Sequence, residues 1–202
     1  SGCDWSSDVC SSDLENFIES KKIEKRERID LSDKNSYMFK SWNSDNFPML
    51  PMIQIEQGKN RSTKLWLHTN NLAERIDLSS KKSLEKFFNS FESLPLLNNW
   101  QNYLSKGIRN VCEFKLGEKI QAISLCLHLN SDNEITDWSF HLTLVRCSLI
   151  IGSEHTDALL SRKSKTRISS RILKPLKAYI EDLDKILEIS TSFRQRHLSE
   201  GK

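Results

Sequence analysis

The chain has 202 residues, of which 37% are hydrophobic and 28% charged, and its formal net charge is +3. This balance allows a packed core and excludes a disordered or fibrous protein. No apolar run is long enough to cross a bilayer and the N-terminus has no apolar signal core, so we expect a cytoplasmic protein with no membrane partner.

The first residues differ from the rest of the chain. Residues 4–14, DWSSDVCSSDL, resemble a translated sequencing-adapter oligonucleotide, so we expect residues 1–14 not to be natural. Without the three aspartates of this stretch the net charge rises from +3 to +6, which weakly favours a polyanionic partner. The remaining cysteines, Cys112, Cys126 and Cys147, match no zinc-site spacing and indicate reduced core residues.

The next segment is predicted to change from a charged linker to a strand. Residues 15–35 form either a linker or a short surface helix, and the apolar run Tyr37–Phe39 starts a strand. Pro48 and Pro51 remove two backbone donors within four residues, which argues against regular structure around these two prolines.

Two strands and a helix are predicted after Pro51. Ile53 and Ile55 alternate with polar residues, which indicates a half-buried strand, and Leu65–His68 is its expected hairpin partner. Apolar residues at helical spacing predict a helix over 84–91. Residues 94–110 are expected to be irregular.

The clearest β pattern lies between Ala122 and Leu149. Apolar residues alternate with polar ones on both sides of the turn sequence NSDNE at 130–134. The pattern predicts an antiparallel hairpin with one apolar face buried and its polar face towards solvent. We expect Trp66 and Trp138 to be core residues rather than platforms for stacking nucleic-acid bases.

Helices are predicted for the C-terminal part. Ser153 starts a short helix that ends near Leu160, and a basic, serine-rich loop follows at 161–171. Lys174-Pro175 opens the last helix, because proline is favoured in a first turn. That helix carries a stripe of apolar residues, and Gly201 is a suitable stop.

Few residues point to catalysis by themselves. His128 and His141 lie on the predicted polar faces of facing strands, and we favour solvent-facing histidines over a metal pair because no third ligand is evident. No nucleophile elbow or glycine-rich phosphate loop is present in the sequence. We therefore predict no catalytic or metal-binding residues from these patterns.

Basic residues form two candidate sites for phosphate groups. The loop residues either bind phosphates or serve only solubility, with no aromatic residue interleaved to stack bases. The pair near Gly201 forms a second basic site, although complementing the helix dipole would also explain it. The candidates are Arg162, Lys163, Lys165, Arg167, Arg171, Arg194 and Arg196.

The succession of segments resembles the ribonuclease II-like (RNB) exoribonuclease family. Arg28-x-Asp30-Leu31 precedes a strand, a loop and the LWLH strand, and FKLGEKIQAISLCLHLNSDNEI then resembles the family's Leu-x-x-Gly turn and long strands. The last helix resembles the family's helix with Arg-x-Arg and a terminal glycine. The resemblance covers residues 28–202. It implies an α+β fold, an antiparallel sheet with flanking helices, in which residues 36–202 form the N-terminal half of an RNB-type domain.

The resemblance also implies a function and a metal. RNB enzymes degrade single-stranded RNA from its 3′ end, with magnesium held by four aspartates in a D-x5-D-x-D-D array. In this sequence the four positions fall on Trp42, Pro48, Leu50 and Pro51, and the aspartate usual after the histidine strand falls on Asn71. Apolar side chains cannot bind magnesium, which requires oxygen ligands. The nearby Asp45 and Glu56 do not replace the array, so we expect no cofactor here.

These observations lead to one main hypothesis and two alternatives. The main hypothesis is an RNB-family protein of RNA processing or degradation that binds single-stranded RNA and is catalytically impaired. One alternative is an active exoribonuclease whose ligands lie outside this chain. The other is a non-catalytic structural subunit that binds a protein, whose identity the sequence does not predict.

Overall fold

The computed structural model describes residues 27–40, 49–58, 62–74, 94–96, 99–101, 109–110, 112–162 and 170–201. The chain divides into two compact units. One contains residues 1–27, 44–50 and 70–114, and the other contains residues 28–43, 51–69 and 115–202.

The second unit is built on a six-stranded sheet. Its strands are β1 (Ile29–Asp30), β2 (Ser36–Phe39), β3 (Met52–Gln57), β4 (Thr63–Asn70), β7 (Lys119–Leu129) and β8 (Ile135–Ile151). Their order is β1-β8-β2-β3-β4-β7, and β7 pairs with β8 as well. The pairings from β8 through β2, β3, β4 and β7 therefore return to β8 and enclose a small interior.

Strand β8 holds this sheet together because it is long enough to have several partners. Its residues Ile135–Arg146 pair antiparallel with β7. On its other edge it pairs parallel with β1 at Thr143 and Leu144, and with β2 from Cys147 onwards. The α+β class is confirmed, and the sheet is mixed rather than purely antiparallel. A long connection separates β2 from β8, and parallel pairing requires such a connection.

The helices cover the outer face of the sheet. They are α1 (Ser153–Arg162), α2 (Ser170–Leu173), a 3-10 helix (Lys174–Tyr179) and α3 (Ile180–Ser199). Pro175 lies in the first turn of the 3-10 helix, where proline was predicted. This helix continues directly from α2, so helical structure begins at Ser170 rather than Lys174, and its residues 174–179 are wound more tightly than an α-helix. Gly201 follows α3 with a φ of 69°, a conformation that favours glycine.

The apolar core lies between this outer face and the helices. Leu183, Ile186 and Ile189 of α3 pack with the outward side chains of the strands. Removing these side chains from water contributes about 1.5–3 kcal/mol each before entropy is subtracted. The outward core residues of the strands include Tyr37, Ile55, Leu65, Leu127, Leu129 and Ile151.

The inner face of the strands is also buried, which differs from the prediction. Gln54, Ser124 and Thr143 are all at 0% exposure, although each lies between two apolar neighbours as a solvent-facing residue would. His68 is also at 0% exposure. The physical reason is closure: when a sheet returns on itself, the face opposite the core has no access to water.

The hairpin of β7 and β8 forms as predicted, but its apolar face is only partly covered. Trp66 is buried as expected, whereas Trp138 and Phe140 are 60% and 65% exposed. The prediction of a core position for Trp138 is therefore wrong. Trp138 pairs across the hairpin with Leu127, which is in the core, but its own side chain lies beyond the part of the hairpin that the helices cover.

The turns around the hairpin use residues with unusual backbone angles. Asn133, in the predicted turn, has a φ of 58°, which asparagine tolerates better than most residues. Its Nδ2 donates to Glu188 Oε1 at 2.9 Å, which joins the turn to α3. Gly117, in the segment that leads into β7, has a φ of 79° and supplies the tight turn expected there.

The first unit contains a short ribbon where an irregular segment was predicted. β5 (Leu94–Leu96) and β6 (Asn99–Gln101) pair antiparallel. The ribbon was not predicted because strands of three residues are too short to show an alternation of apolar and polar residues. Proline is tolerated at position 95 because each strand of a two-stranded ribbon has one unpaired edge. A 3-10 helix follows β4 at Leu72–Glu74. Residues 15–26 of the predicted linker and the helix predicted at 84–91 lie outside the described residues. In the described part of that linker, Ile29–Asp30 forms β1, so residues 29 and 30 are strand rather than linker or helix.

Candidate nucleic-acid interface

The segment expected to hold a metal leads directly into β3. Trp42 and Pro48 lie outside the described residues. Leu50 is half-buried and Pro51 is exposed, and the strand begins one residue later at Met52. Neither side chain has an oxygen atom, so these two positions do not fit a magnesium ion.

Other carboxylates and imidazoles of the described residues do not form a metal site in place of the missing aspartates. Within the described ranges, no three His, Cys, Asp or Glu side chains lie close enough to hold a metal ion. Glu56 is on β3, where its Oε1 accepts a hydrogen bond of 3.2 Å from Gln54 Nε2. Asn71 is buried, and its amide nitrogen lacks a hydrogen-bond partner within the described structure. Asp45 lies outside the described residues.

The two histidines of the hairpin do not face each other. His128 is opposite Asp137 in the ladder, whereas His141 is opposite Ser124. Four residues of strand therefore separate them, on the order of 13 Å along β8. His141 instead contacts Ser139 Oγ through Nε2 at 2.8 Å and packs against the ring of Trp66 at a centroid distance of 5.4 Å.

A chain of polar groups crosses the interior of the sheet. His68 Nδ1 is 2.7 Å from Ser124 Oγ, and Ser124 Oγ is 2.6 Å from Thr143 Oγ1. Thr143 Oγ1 donates to the Ala122 carbonyl at 3.4 Å. Because a carbonyl can only accept, the donors run from His68 through Ser124 to Thr143, so the proton of a neutral His68 is on Nδ1.

This polar chain has no opening to solvent. His68 is completely buried, and burial lowers its pKa from 6.5 to about 4. Its Nε2 lacks a hydrogen-bond partner within the described structure. Sequence reasoning missed this group because it assigned the polar residues of the strands to a solvent-facing surface. The sequence did contain a signal for a buried polar face. An imidazole and two small hydroxyls, at His68, Ser124 and Thr143, stand where an exposed face would favour charged residues. The hydrogen bonds of this group link β4, β7 and β8 across the interior.

The first set of candidate RNA contacts lies between α1 and α2. Arg162 is the last residue of α1, and Lys163, Lys165 and Arg167 lie outside the described residues. Arg171 is exposed within α2. Helix is therefore present at 161–162 and 170–171, the two ends of the segment predicted as a loop.

The second set separates into two different environments. Arg194 is exposed on α3. Arg196 is half-buried: its guanidinium donates to the Asn133 carbonyl and lies 5.3 Å from the centre of the Phe193 ring. The two arginines are not equivalent, since Arg196 fastens the β7–β8 turn to the helix whereas the side chain of Arg194 is presented to solvent.

Comparisons with known proteins agree on one family. The RNB domain model matches residues 28–202. No curated protein matches the sequence. In the described residues, no helix is both long and apolar enough to cross a membrane.

Several solved structures share the fold at low sequence identity. RNase R of Mycoplasma genitalium, in complex with ribose-methylated single-stranded RNA, matches with a TM-score of 0.64 and 14% identity over 85% of this chain and 26% of that one. Yeast Ssd1, described as a pseudonuclease, gives 0.63 and 14% over 90% of this chain and 21% of that one. An active-site mutant of the Dss1 exoribonuclease from Candida glabrata gives 0.59 and 17% over 83% and 24%. The chain thus spans about a quarter of the length of these proteins.

Proposed function

The chain belongs to the RNB domain family, and we propose that it binds single-stranded RNA without hydrolysing it. One observation carries the proposal. The positions that the family resemblance assigns to magnesium-binding aspartates hold Trp42, Pro48, Leu50 and Pro51. Hydrolysis of a phosphodiester by divalent metals needs several carboxylates to hold the ions, and none of these four residues has one.

The neighbouring structures are compatible with both halves of the proposal. RNase R of Mycoplasma genitalium carries RNA in two of the matching structures, once single-stranded and once double-stranded. Yeast Ssd1 shares the fold and is described as a pseudonuclease. An RNB fold can thus persist in a protein that is not a nuclease, which is the combination proposed for this chain.

Electrostatics supports binding through the phosphate backbone. The chain has 30 basic and 27 acidic residues. Arg171 and Arg194 are exposed. We propose that they contact phosphates together with Arg162, the last residue of α1, and with Lys163, Lys165 and Arg167. Arg196 contributes less, because its guanidinium already bonds to the Asn133 carbonyl.

Binding is tested by fluorescence anisotropy with a labelled single-stranded RNA at several salt concentrations. We expect the logarithm of the association constant to fall linearly with the logarithm of salt, by about 0.7 for each phosphate contact. Replacing both Arg171 and Arg194 with alanine should reduce the slope by about 1.4. Negligible affinity at low salt, or an affinity that does not change with salt, contradicts RNA binding.

A further inference from the structure

Strand β8 leaves part of one edge unpaired. β7 covers one edge from Ile135 to Arg146. The opposite edge is covered by β1 at Thr143–Leu144 and by β2 from Cys147. Among the residues placed in the structure, none pairs with 136–142 on that side. We propose that this open edge pairs with the same edge of a second copy of the chain, in an antiparallel, two-fold symmetric dimer.

The open edge carries two large aromatic side chains that the fold does not cover. Trp138 and Phe140 are both more than half exposed, and their rings meet edge to face at a centroid distance of 5.7 Å. Unpaired backbone groups and exposed apolar side chains on one strand favour pairing with another strand. The same seven residues therefore offer both hydrogen-bonding groups and apolar surface to a partner.

Symmetry restricts the possible registers. A two-fold axis that relates two antiparallel neighbours is perpendicular to the sheet, so equivalent residues of the two copies lie on the same face. Two residues that lie opposite each other across the pair of strands also share a face. The axis must therefore pass midway between the two copies of one and the same residue, which lies opposite itself. The ladder with β7 is irregular between His128 and Leu129, which leaves Asp137–Leu142 as the regular part of the open edge. Ser139 is near the middle of that stretch.

A register centred on Ser139 gives complementary pairs on both faces. It places Trp138 of each copy opposite Phe140 of the other. On the second face it places Asp137 of each copy opposite His141 of the other. Because Nε2 of His141 contacts Ser139 Oγ, it is the Nδ1–H that would donate to this carboxylate. Aromatic pairs and hydrogen-bonded pairs are favourable cross-strand neighbours. Registers centred on Trp138 or Phe140 instead place identical rings opposite each other and leave Asp137 without the histidine.

The charges near the aromatic pair favour a protein over RNA as the partner. Asp132, Glu134 and Asp137 are exposed within six positions of Trp138. Three carboxylates repel a phosphate backbone, whereas one of them has a matching histidine in the two-fold arrangement. The dimer is independent of the proposed RNA binding, because none of the proposed RNA contacts lies on β8.

The contact is small, so we expect a reversible dimer. Seven residues of strand on each side bury less than the roughly 1,200–2,000 Å² of stable complexes. The association is therefore expected at micromolar concentrations or above, rather than as a permanent assembly.

Sedimentation equilibrium of the full chain tests the dimer. Phe140→Lys places a charge on an exposed edge position, where lysine blocks strand pairing, and should weaken association at least tenfold. Leu198→Lys is the matched control, because Leu198 is 64% exposed on α3 and lies away from the edge. Circular dichroism checks that both variants fold. A wild-type chain that stays monomeric throughout the millimolar range, or equal weakening by both substitutions, overturns the proposal.

A cysteine on the axis tests the register. In a chain with Cys3 and Cys10 replaced by serine, Ser139→Cys places two thiols opposite each other, with their Cα atoms about 4.5–5.5 Å apart. Mild oxidation should link the copies at least ten times faster than in the control Ser131→Cys, whose residue is exposed in the β7–β8 turn. Equal rates overturn the register. If Trp138→Lys weakens RNA binding while the wild-type chain remains monomeric, the patch is an RNA site and the dimer is excluded.

Discussion

The hydroxyl of Tyr37 donates a 2.5 Å hydrogen bond to the carboxylate of Asp182. Tyr37 is completely buried on β2, and Asp182 is in the first turn of α3. Burial of the ring and the neighbouring carboxylate both raise the pKa of Tyr37 well above its usual value, so the phenol remains a donor at any ordinary pH. This bond joins the sheet to its main helix at the helix end where a negative charge is favoured.

Removing this hydroxyl should destabilise the fold. We expect Tyr37→Phe to lower the free energy of unfolding by about 1.5–3 kcal/mol, the range for a hydrogen bond to a charged group. Urea denaturation measures the change. Tyr179→Phe is the control, since Tyr179 packs edge to face on the Tyr37 ring but its hydroxyl has no bond to Asp182. A loss below 0.5 kcal/mol in Tyr37→Phe contradicts the expected role of the bond.

Buried His68 should make the fold sensitive to acid. Its pKa is lowered from 6.5 to about 4 by burial, so the unfolded chain takes up a proton at a higher pH than the folded chain does. Above pH 6.5 both states are neutral and stability is unaffected. As the pH falls from 6.5 to about 4, only the unfolded state is protonated, and stability should decrease by about 3 kcal/mol.

A urea titration at several pH values measures this dependence. His68→Gln should flatten the decrease between pH 6.5 and 4, although it also lowers stability at neutral pH by disturbing the bond to Ser124. His197→Gln is the control, because His197 is exposed near the end of α3. Equal pH dependence in the wild type and in His68→Gln is the outcome that excludes this role.

The two arginines of α3 should respond differently to substitution. Arg196→Ala removes the bond to the Asn133 carbonyl and should lower the unfolding free energy by about 1–3 kcal/mol. Arg194→Ala should leave stability within about 0.5 kcal/mol, as exposed substitutions usually do, and should weaken RNA binding at low salt. Thermal unfolding and RNA anisotropy on the same preparations separate the two effects. A loss of stability in Arg194→Ala, together with weaker RNA binding but unchanged stability in Arg196→Ala, would contradict both assignments.

Magnesium should not stabilise the protein. A ligand that binds only the folded state raises the unfolding temperature. The side chains of Leu50 and Pro51 have no oxygen atom that could bind magnesium. Differential scanning fluorimetry in millimolar magnesium chloride should therefore match a sodium chloride control of equal ionic strength to within about 1 °C. A rise of several degrees that is specific to magnesium, and that EDTA reverses, contradicts the assignment.

The sequence predicted what depends on local pattern and missed what depends on closure of the sheet. The hairpin around 130–134 and the end of α3 at Gly201 follow from alternation and turn chemistry, and both are confirmed. Gln54 and Ser124 were expected towards solvent because alternation identifies two faces of a strand but does not show that both are covered. Trp138 was expected in the core because its spacing matches that of the buried residues. The extent of the helices, which decides its exposure, is a tertiary property.

The sequence predicted which segments form the candidate site but not the contacts that its side chains make. The order of segments identified the family over residues 28–202. The prediction that the family's aspartate positions fall on Leu50 and Pro51 was also made from the sequence alone. The difference between Arg194 and Arg196 could not be predicted, since it depends on Asn133, a residue more than sixty positions away.

A single-stranded RNA labelled at its 3′ end tests most directly whether the protein binds RNA without cleaving it. The full chain is incubated with this RNA and magnesium, and the products are resolved on native and denaturing gels. We predict a shifted complex on the native gel and intact, full-length RNA on the denaturing gel at every time point. Release of labelled nucleotide in proportion to the purified protein, abolished by EDTA and retained after Asp45 and Glu56 are replaced by alanine, would contradict it.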